Sequence, residues 1–367
     1  MKFICTKDNL LTGLSHVTPL AGKNHQLPIL SHVLCQVREG VLHLTCTDLE
    51  LGVHTTVAGK IENEGGFTTG ARKLFEFIQQ LPSANPLYLT VDKGRLTITT
   101  EGFTAHFPIG EVEEFPLLPT APDKGAVTLP AAKICAGLQH TIFSAAKEET
   151  RPEIHSVFFQ ATQNEIRLAA TDSFRLSEEI IKVDEPIGEF SFLLPLATAQ
   201  EIVRLFSEQE TVTLIPHENY LTVESEGMEL SSRLVEGTYP DYRHIIPTSY
   251  RLDGTVDRDA FIRALKTVAI FLPRDSRRIQ VQFMPEEEMM RVKVLGTEMG
   301  EGEVVVPFKG TGDAMEALFN VQYLLDGLQH STSSECQIQC SGSTEPTLLR
   351  PVDTDRQYLY VVMPIQA

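Results

Sequence analysis

An internal repeat with a spacing of 124 residues is the feature that most limits what this chain can fold into. Three short segments recur at that spacing: Gly13-Leu14-Ser15-His16 as Gly137-Leu138-Gln139-His140, Thr47-Asp48 as Thr171-Asp172, and Phe115-Pro116 as Tyr239-Pro240. Self-similarity at a fixed period indicates one supersecondary unit that is used several times. A chain of 367 residues therefore has room for about three such units.

Each unit shows the same order of predicted elements. An amphipathic helix comes first, then strands with period-two apolar alternation, then a second helix, then more alternating strands. The apolar stripes of the first helices are Leu10, Leu14 and Val17; Ile134, Leu138 and Ile142; and Phe261, Leu265, Val268 and Leu272. Those of the second helices are Leu74, Ile78 and Leu81; Ala199, Ile202 and Phe206; and Val321, Leu324, Leu325 and Leu328. The third copy has diverged most.

This order of elements predicts an α+β fold made of three repeated domains. Turn-forming proline and glycine residues cluster near positions 125 and 250. The predicted domains are therefore 1–125, 126–250 and 251–367. Asp257 is predicted to cap the first helix of the third domain, because an aspartate side chain can accept from the first free amides of a helix.

Composition and charge narrow the class of protein. The formal net charge is −18, with 31 Lys and Arg against 49 Asp and Glu, and this argues against a protein that coats nucleic acid uniformly. The predicted helices are nevertheless weakly positive, so the acid excess belongs to the rest of the chain. No signal peptide or long apolar segment is evident, and the six cysteines form no C-x-x-C pair. We therefore expect a cytoplasmic protein that does not associate with membranes.

Motifs for catalysis or cofactor binding are absent from the sequence. There is no phosphate-binding loop, no H-E-x-x-H and no G-x-S-x-G. Gly310-Thr311-Gly312 lacks the third glycine of a dinucleotide loop and is predicted to be a polar turn. The sequence therefore predicts no metal, no cofactor and no catalytic residue.

Several segments together resemble one family, the bacterial DNA polymerase III β subunit, or sliding clamp. They span all three repeats in order: Met1-Lys2-Phe3, Leu27-Pro28-Ile29-Leu30, Thr47-Asp48-Leu49-Glu50, Ala71-Arg72-Lys73, Ala170 to Leu176, Leu234 to Arg243, and Tyr360 to Ile365. The resemblance implies a homodimeric ring of six domains, with helices lining a central hole and antiparallel sheets outside. It also implies a processivity factor, not an enzyme, that encircles duplex DNA without sequence preference.

Partners and sites also follow from the resemblance. The expected partners are double-stranded DNA, the DNA polymerase III catalytic subunit, the clamp loader complex, and other polymerases and repair proteins that carry clamp-binding peptides. The expected DNA-facing cations are Lys23, Arg72, Lys73, Lys133, Lys147, Arg151, Arg204, Lys266 and Arg274. A helix face that is simply solvated is the alternative reading for each of them.

The resemblance further implies a partner-peptide groove and a subunit interface. The groove residues are Ile154, Thr171, Ser173, Phe174, Arg175, Leu176, Pro240, His244, Ile245, Thr347, Val362, Met363, Pro364 and Ile365. The interface residues are Phe107, Ile109, Ile270 and Phe271, for which burial inside their own domain is the alternative. Phe174 and His244 depart from the residues that are common in the family at these positions.

Two rival functions stay open on sequence alone. One is an enzyme whose site is assembled from dispersed residues such as His155, Asp172 and His244. The other is a repeat scaffold that binds proteins but not DNA. Retention on nicked circular DNA with release from the linearised form distinguishes a topological clamp from both rivals.

Overall fold

A computed structural model describes residues 1–22, 27–83, 85–119, 125–297, 300–352 and 357–366, apart from the side chains of residues 295 and 297. In the first third of the chain the elements are β1 (Lys2–Cys5), α1 (Lys7–Val17), β2 (His32–Arg38), β3 (Val41–Thr47), β4 (Leu51–Val57), β5 (Lys60–Asn63), β6 (Gly65–Gly70), α2 (Ala71–Gln80), β7 (Leu87–Asp92), β8 (Arg95–Thr100) and β9 (Phe103–Pro108).

The same order returns twice, with one strand fewer between the two helices of the middle third. The middle third contains β10 (Val127–Pro130), α3 (Ala131–Gln139), β11 (Ser156–Ala161), β12 (Glu165–Thr171), β13 (Arg175–Lys182), β14 (Phe190–Pro195), α4 (Leu196–Phe206), β15 (Thr211–His217), β16 (Tyr220–Ser225) and β17 (Met228–Arg233). The last third contains β18 (Leu252–Asp257), α5 (Arg258–Ala269), β19 (Arg278–Met284), β20 (Met289–Thr297), β21 (Gly300–Pro307), β22 (Lys309–Gly312), β23 (Met315–Asn320), α6 (Val321–Gln329), β24 (Glu335–Cys340), β25 (Thr347–Pro351) and β26 (Gln357–Val362).

The predicted helices form because an apolar stripe and a cap coincide. In α1 the Thr6 side chain accepts from the Asn9 amide, and Leu10, Leu14 and Val17 are buried. In α5 the predicted cap is confirmed, since the Asp257 side chain accepts from the Ala260 amide at 2.6 Å. Such a side chain satisfies one of the free amides at a helix start.

Five local predictions were wrong. Each repeat begins with a strand, β1, β10 or β18, and not with a helix, and Leu81 lies just beyond the end of α2. Ile142 lies in a short 3₁₀ turn beyond the end of α3, and Leu272 lies beyond the end of α5. Gly310-Thr311-Gly312 is not a turn but part of strand β22, which pairs with β18. Gly310 and Gly254 face each other across these strands and leave room for the Phe308 ring, so a glycine-rich segment serves here for close packing.

A close helix-to-sheet approach recurs at the repeat spacing. A Cβ atom at Gly13 would clash with Val57, and one at Gly137 would lie 2.8 Å from Leu168 Cδ1. Because a methyl group needs more space than that, glycine at these positions lets the first helix of each unit pack directly on its strands. The matching position of α5, counted from the helix start, holds the buried Ala264.

The structure divides into two compact units, Met1–Ala132 with Arg204–Leu234, and Lys133–Val203 with Val235–Ala367. The first unit contains two sheets with strand orders β5-β1-β7-β8-β9 and β10-β15-β16-β17-β4-β3-β2-β6. The second contains β14-β11-β12-β13-β26-β25-β24-β18-β22 and β21-β20-β19-β23. All these strand pairs are antiparallel.

The long sheets cross the repeat boundaries. In the first unit β4 pairs with β17, a strand of the next repeat. In the second unit β13, the repeat counterpart of β4, pairs in the same way with β26. The compact units therefore do not coincide with three repeats, and the predicted domain limits at 125 and 250 stay a prediction.

The cores of both units are apolar and close-packed. Helix α1 packs on β3 and β4 in the first unit, and α5 packs on β20 and β21 in the second. All six cysteines are buried, and burial raises the pKa of Cys135 to about 11. Among the described residues no helix is long and apolar enough to cross a membrane.

Candidate partner-binding groove

The turn between β12 and β13 is held by its own side chains. Thr171 Oγ1 donates to the Arg175 carbonyl at 2.6 Å and accepts from the Ser173 amide at 3.1 Å. Asp172 Oδ1 accepts from the amides of Phe174 and Arg175, both at 3.0 Å. Ser173 has a φ of 77°, which a non-glycine residue holds only when its surroundings fix it. The turn leaves Phe174 61% exposed at its tip.

Arg175 at the end of this turn is buried and ion-paired. Its Nε lies 2.9 Å from Asp172 Oδ2, and its Nη1 lies 2.5 Å from Asp326 Oδ2 on α6. The guanidinium carbon is 4.5 Å from the centroid of the Tyr323 ring. Burial by itself would lower the pKa of Arg175, but Tyr360 and the two carboxylates hold that pKa above its usual value. The cation therefore joins the turn to α6 within one unit.

Backbone hydrogen bonds fix the segment that follows β26. The Met363 amide donates to the Phe174 carbonyl at 2.8 Å, and the Ile365 amide donates to the Leu318 carbonyl at 2.7 Å. Since alternate amides of the segment bond to opposite sides, it runs between the turn and β23. It thereby presents Met363, Pro364 and Ile365 beside Phe174.

A groove of about 560 Å³ lies at this junction. It is lined by Ser173, Phe174, Asn320, Tyr323, Met363, Pro364, Ile365 and Gln366. An apolar wall with a few polar groups is typical of a site for small ligands or short peptides. A methionine and an exposed phenylalanine also suit a surface that adapts to different side chains.

A larger cavity of about 840 Å³ adjoins the groove. It shares Ser173, Phe174, Asn320 and Tyr323 with the groove. Its further lining residues are Ala146, Lys147, Glu148, Thr150, Arg151, Ile154, Asp172, Arg175, Arg277, Gln322 and Asp326. Phe174 therefore stands between a mainly apolar groove and a cavity rich in charged side chains.

The predicted groove residues fall into three sets. Ser173, Phe174, Met363, Pro364 and Ile365 line the groove, and Ile154 and Arg175 line the larger cavity. Thr171, Leu176, Thr347 and Val362 are buried in the strands that carry the site, so their contribution is to hold it in shape. The remaining three residues, Pro240, His244 and Ile245, belong to a separate segment.

That segment borders a smaller cavity of about 180 Å³. Pro240 lines it together with Phe158 and Tyr242. The side chain of His244 is 85% exposed and lies 3.0 Å from Asp241. Ile245 is one of the exposed large apolar residues of the chain. The structure therefore brings together the turn and the 363–365 segment. Pro240 lines a different cavity, and His244 and Ile245 are exposed without lining any of these three cavities.

Several lining residues were missed by sequence reasoning. Asn320 and Tyr323 contribute to both cavities, and Arg277 and Asp326 contribute to the larger one. All four belong to the third repeat, whose sequence has diverged too far for the spacing to reveal them. One signal was present, because Asn320 precedes an apolar stripe and caps α6 by accepting from the Gln322 amide.

The predicted DNA-facing cations are mostly exposed, but several have partners. Lys23 lies outside the described residues. Lys133 pairs with Asp184 at 3.6 Å, and Arg204 donates to the carbonyls of Ser15 and His16 at the end of α1. The others are Arg72 and Lys73 on α2, Lys266 on α5, Lys147 and Arg151 before β11, and Arg274 after α5, all of them exposed.

The predicted interface residues lie near sheet edges. Phe107 is on β9, an edge strand of its sheet, where its ring meets Phe77 edge-on at 5.5 Å. Ile109 follows β9 directly and is half-buried. Ile270 is 73% exposed, and the Phe271 ring packs on Gly302 of the edge strand β21.

The residues of the rival enzyme hypothesis each have a separate local partner. His155 Nδ1 lies 2.7 Å from the Ala146 carbonyl, Asp172 holds the turn, and His244 pairs with Asp241. Within the part of the chain that the structure describes, no group of three or more His, Cys, Asp or Glu side chains is arranged to hold a metal ion.

Comparisons with known proteins give one consistent result. Family models for the N-terminal, central and C-terminal domains of the DNA polymerase III beta subunit match residues 1–119, 128–241 and 243–366. The beta sliding clamp of Synechococcus elongatus is 28% identical over all of this chain and 99% of its own, and that of Vibrio cholerae is 28% identical over all of both chains.

Solved structures of DNA polymerase III beta subunits also match this chain. The DnaN sliding clamp (DNA polymerase III subunit beta) from Pseudomonas aeruginosa bound to griselimycin matches with a TM-score of 0.95 and 25% identity over all of both chains. The DNA polymerase III beta subunit from Thermotoga maritima matches with a TM-score of 0.93 and 25% identity, over all of this chain and 99% of the other. With all three domain models matched in order, the chain belongs to the DNA polymerase III beta subunit family.

Proposed function

We propose that this protein is a DNA sliding clamp, a non-catalytic processivity factor that encircles duplex DNA and tethers DNA polymerase III. The observation that carries the proposal is the match of three clamp domain models along nearly the whole chain. The groove beside Phe174 supports the tethering role, because it offers partner proteins a preformed apolar site. The proposed occupants are short segments of the polymerase III catalytic subunit, of the clamp loader, and of other polymerases and repair proteins.

Two exposed sheet edges support a ring of two subunits. β9 ends one sheet of the first unit, and β21 ends one sheet of the second. An unpaired edge strand presents free amides and carbonyls, so pairing of β9 in one protomer with β21 in the other would satisfy both. The proposed contact includes Phe107, Ile109, Ile270 and Phe271, of which Ile270 is the most exposed.

A loose electrostatic hold on DNA fits the charge distribution. The chain carries a net charge of −18, yet exposed cations occur on α2, α3, α4 and α5. The proposed contacts of Arg72, Lys73, Lys133, Arg204, Lys266 and Arg274 are to phosphates and carry no sequence information. Lys147 and Arg151 line the larger cavity beside the groove and are not counted among these contacts. Few and dispersed contacts of this kind allow a ring to slide.

Retention on DNA of different topology tests the proposal. The protein is loaded onto a nicked circular plasmid with a clamp loader, and bound protein is measured by gel filtration before and after the plasmid is linearised. We expect retention on the circle and release from the linear form, because a ring leaves DNA only over a free end. Equal retention on both forms would rule out a topological clamp and favour direct binding.

A further inference from the structure

The larger cavity beside the groove is basic in a chain that is acidic overall. Four Lys and Arg side chains and three Asp and Glu side chains line it. In the whole chain, by contrast, 31 Lys and Arg residues are outnumbered by 49 Asp and Glu residues. Arg175 is buried between Asp172 and Asp326, so these three charges are largely occupied with one another. The accessible charges that remain are Lys147, Arg151 and Arg277 against Glu148.

The three accessible cations are available to a ligand. In the described part of the chain neither Lys147 nor Arg277 has an ion-pair partner. The Arg151 guanidinium donates to Ser173 Oγ at 3.2 Å, a neutral hydroxyl that orients the cation without cancelling its charge. The Arg277 carbonyl accepts from the Val321 amide at 2.8 Å, which fixes its backbone at the start of α6.

The cavity is continuous with the groove. Ser173, Phe174, Asn320 and Tyr323 line both, so a chain segment that fills the groove can extend past Phe174 into the cavity. Because the two sites share these lining residues, the residues that flank the groove-filling segment are the ones that enter the cavity. Complementary charges at such a site select among partners more than they add raw affinity.

We propose that this cavity is an acidic-residue subsite, in which Lys147, Arg151 and Arg277 recognise Asp or Glu side chains flanking the apolar segment of a docked partner peptide. The inference rests on the proposed function and adds a partner preference to it. Clamp-binding segments with an acidic flank bind more tightly than otherwise identical segments with a neutral flank.

Matched peptides test the subsite. The clamp-binding segment of a DNA polymerase III catalytic subunit is synthesised with two Glu or two Gln at its N-terminal flank, and likewise at its C-terminal flank. Fluorescence anisotropy with the full-length protein gives each Kd. We expect two Glu to bind about threefold to tenfold more tightly than two Gln at one of the two flanks in low salt, which two exposed charge pairs together can supply. The ratio is expected to fall towards one at high salt.

Substitutions at the cavity test whether its cations cause the preference for Glu. The double variant Lys147→Gln, Arg277→Gln is expected to lose most of the Glu preference. The matched control is Arg278→Gln, which removes an exposed arginine one residue away that does not line the cavity, and it is expected to keep the preference. Phe174→Ala is expected to weaken all four peptides, because it removes the side chain shared by the groove and the cavity.

The outcomes separate this inference from the proposed function. If all four peptides bind the natural protein equally well, or if the Glu preference survives in the double variant, the subsite is wrong and the groove stands. If no peptide binds, the proposed function itself fails. If a single-stranded oligonucleotide binds in a way that depends on Lys147 and Arg277 while the peptides show no preference, the cavity serves nucleic acid and the inference is overturned.

Discussion

The turns at Thr47–Leu51 and Thr171–Arg175 share one backbone design and differ in their side chains. Thr47 Oγ1 bonds the Leu51 carbonyl and the Leu49 amide, as Thr171 does with Arg175 and Ser173. Leu49 has a φ of 82° and Ser173 one of 77°. In both repeats the Thr-Asp sequence therefore stabilises the turn.

Each turn also accepts the same kind of backbone hydrogen bond from the neighbouring segment. The Arg233 amide donates to the Glu50 carbonyl in the first unit, and the Met363 amide donates to the Phe174 carbonyl in the second, both at 2.8 Å. The side chains differ where a ligand would be met, because exposed Glu50 corresponds to Phe174 and buried Leu51 to Arg175. The scaffold is therefore repeated, whereas the groove depends on a few side chains of one copy.

A second pair of cross-strand positions carries different side chains in the two units, although the positions correspond at the spacing of 124 residues. His43 Nδ1 lies 3.2 Å from His54 Nε2 in the first unit. The corresponding residues of the second unit, Arg167 and Glu178, form an ion pair at 3.2 Å. One cross-strand site is thus filled by two neutral rings in one repeat and by opposite charges in the next, and the two should respond differently to acid.

The largest effect is expected from replacing Arg175 by leucine, the residue type at its counterpart Leu51. Arg175 is only 5% exposed, and its loss leaves the Asp172 and Asp326 carboxylates without their cation. We expect the free energy of unfolding to fall by about 3–5 kcal/mol, as is typical when one partner of a buried ion pair is removed. Urea denaturation measures this change.

Two further variants complete that test. Arg243→Leu removes an exposed arginine from the same unit and is expected to change stability by less than about 0.5 kcal/mol. Adding Asp172→Asn and Asp326→Leu to Arg175→Leu is expected to restore part of the loss, since replacing a whole buried ion network is often far less costly than breaking it. A triple variant less stable than the single one would contradict this account.

Acid is expected to destabilise the first unit through the histidine pair. Burial, with His43 and Arg38 next, lowers the pKa of His54 to about 4. Below the ordinary histidine pKa of about 6.5, His54 is protonated in the unfolded chain but stays neutral in the folded chain until the pH reaches its lower pKa. The free energy of unfolding therefore falls as the pH drops from about 6.5 to about 4, by roughly 2 kcal/mol for this residue.

Denaturation at a series of pH values measures this dependence. His54→Gln removes the titrating ring, so its stability should fall less steeply with acid than that of the natural protein. His106→Gln replaces an exposed histidine of the same unit and is expected to keep the natural slope. Parallel curves for the natural protein and His54→Gln would show that this pair does not control the acid response.

The smallest effect is expected from the hydroxyls shared by the two turns. Thr47→Val and Thr171→Val each remove a buried hydroxyl with two backbone partners. We expect each to lower the free energy of unfolding by about 1 kcal/mol, and by similar amounts, because the bonds are the same. Thr128→Val, at an exposed hydroxyl, serves as the control. A clear inequality between the two buried sites would show that the turns are not equivalent in energy.

Much of the fold could be predicted from the sequence because its signals are local. Apolar stripes such as Leu10, Leu14 and Val17 mark helices, so both helices of each repeat could be predicted. The short strand that precedes the first helix was not predicted. The tail residues of the groove and Phe174 followed from family resemblance. Arg277 and Tyr323 did not, because nothing in their own neighbourhood marks them and the third repeat has diverged from the other two. Asn320 was marked only as a possible cap of α6 and not as a residue of the site.

The repeated α+β units, the weakly positive helices and the Thr-Asp turns follow from local sequence, since each depends on residues close together in the chain. The pairing of Arg175 with Asp326, the capping of α1 by Arg204 and the pairing of β26 with β13 became visible only in the folded protein. Those contacts join residues far apart in sequence, so the residues near one partner do not predict the other.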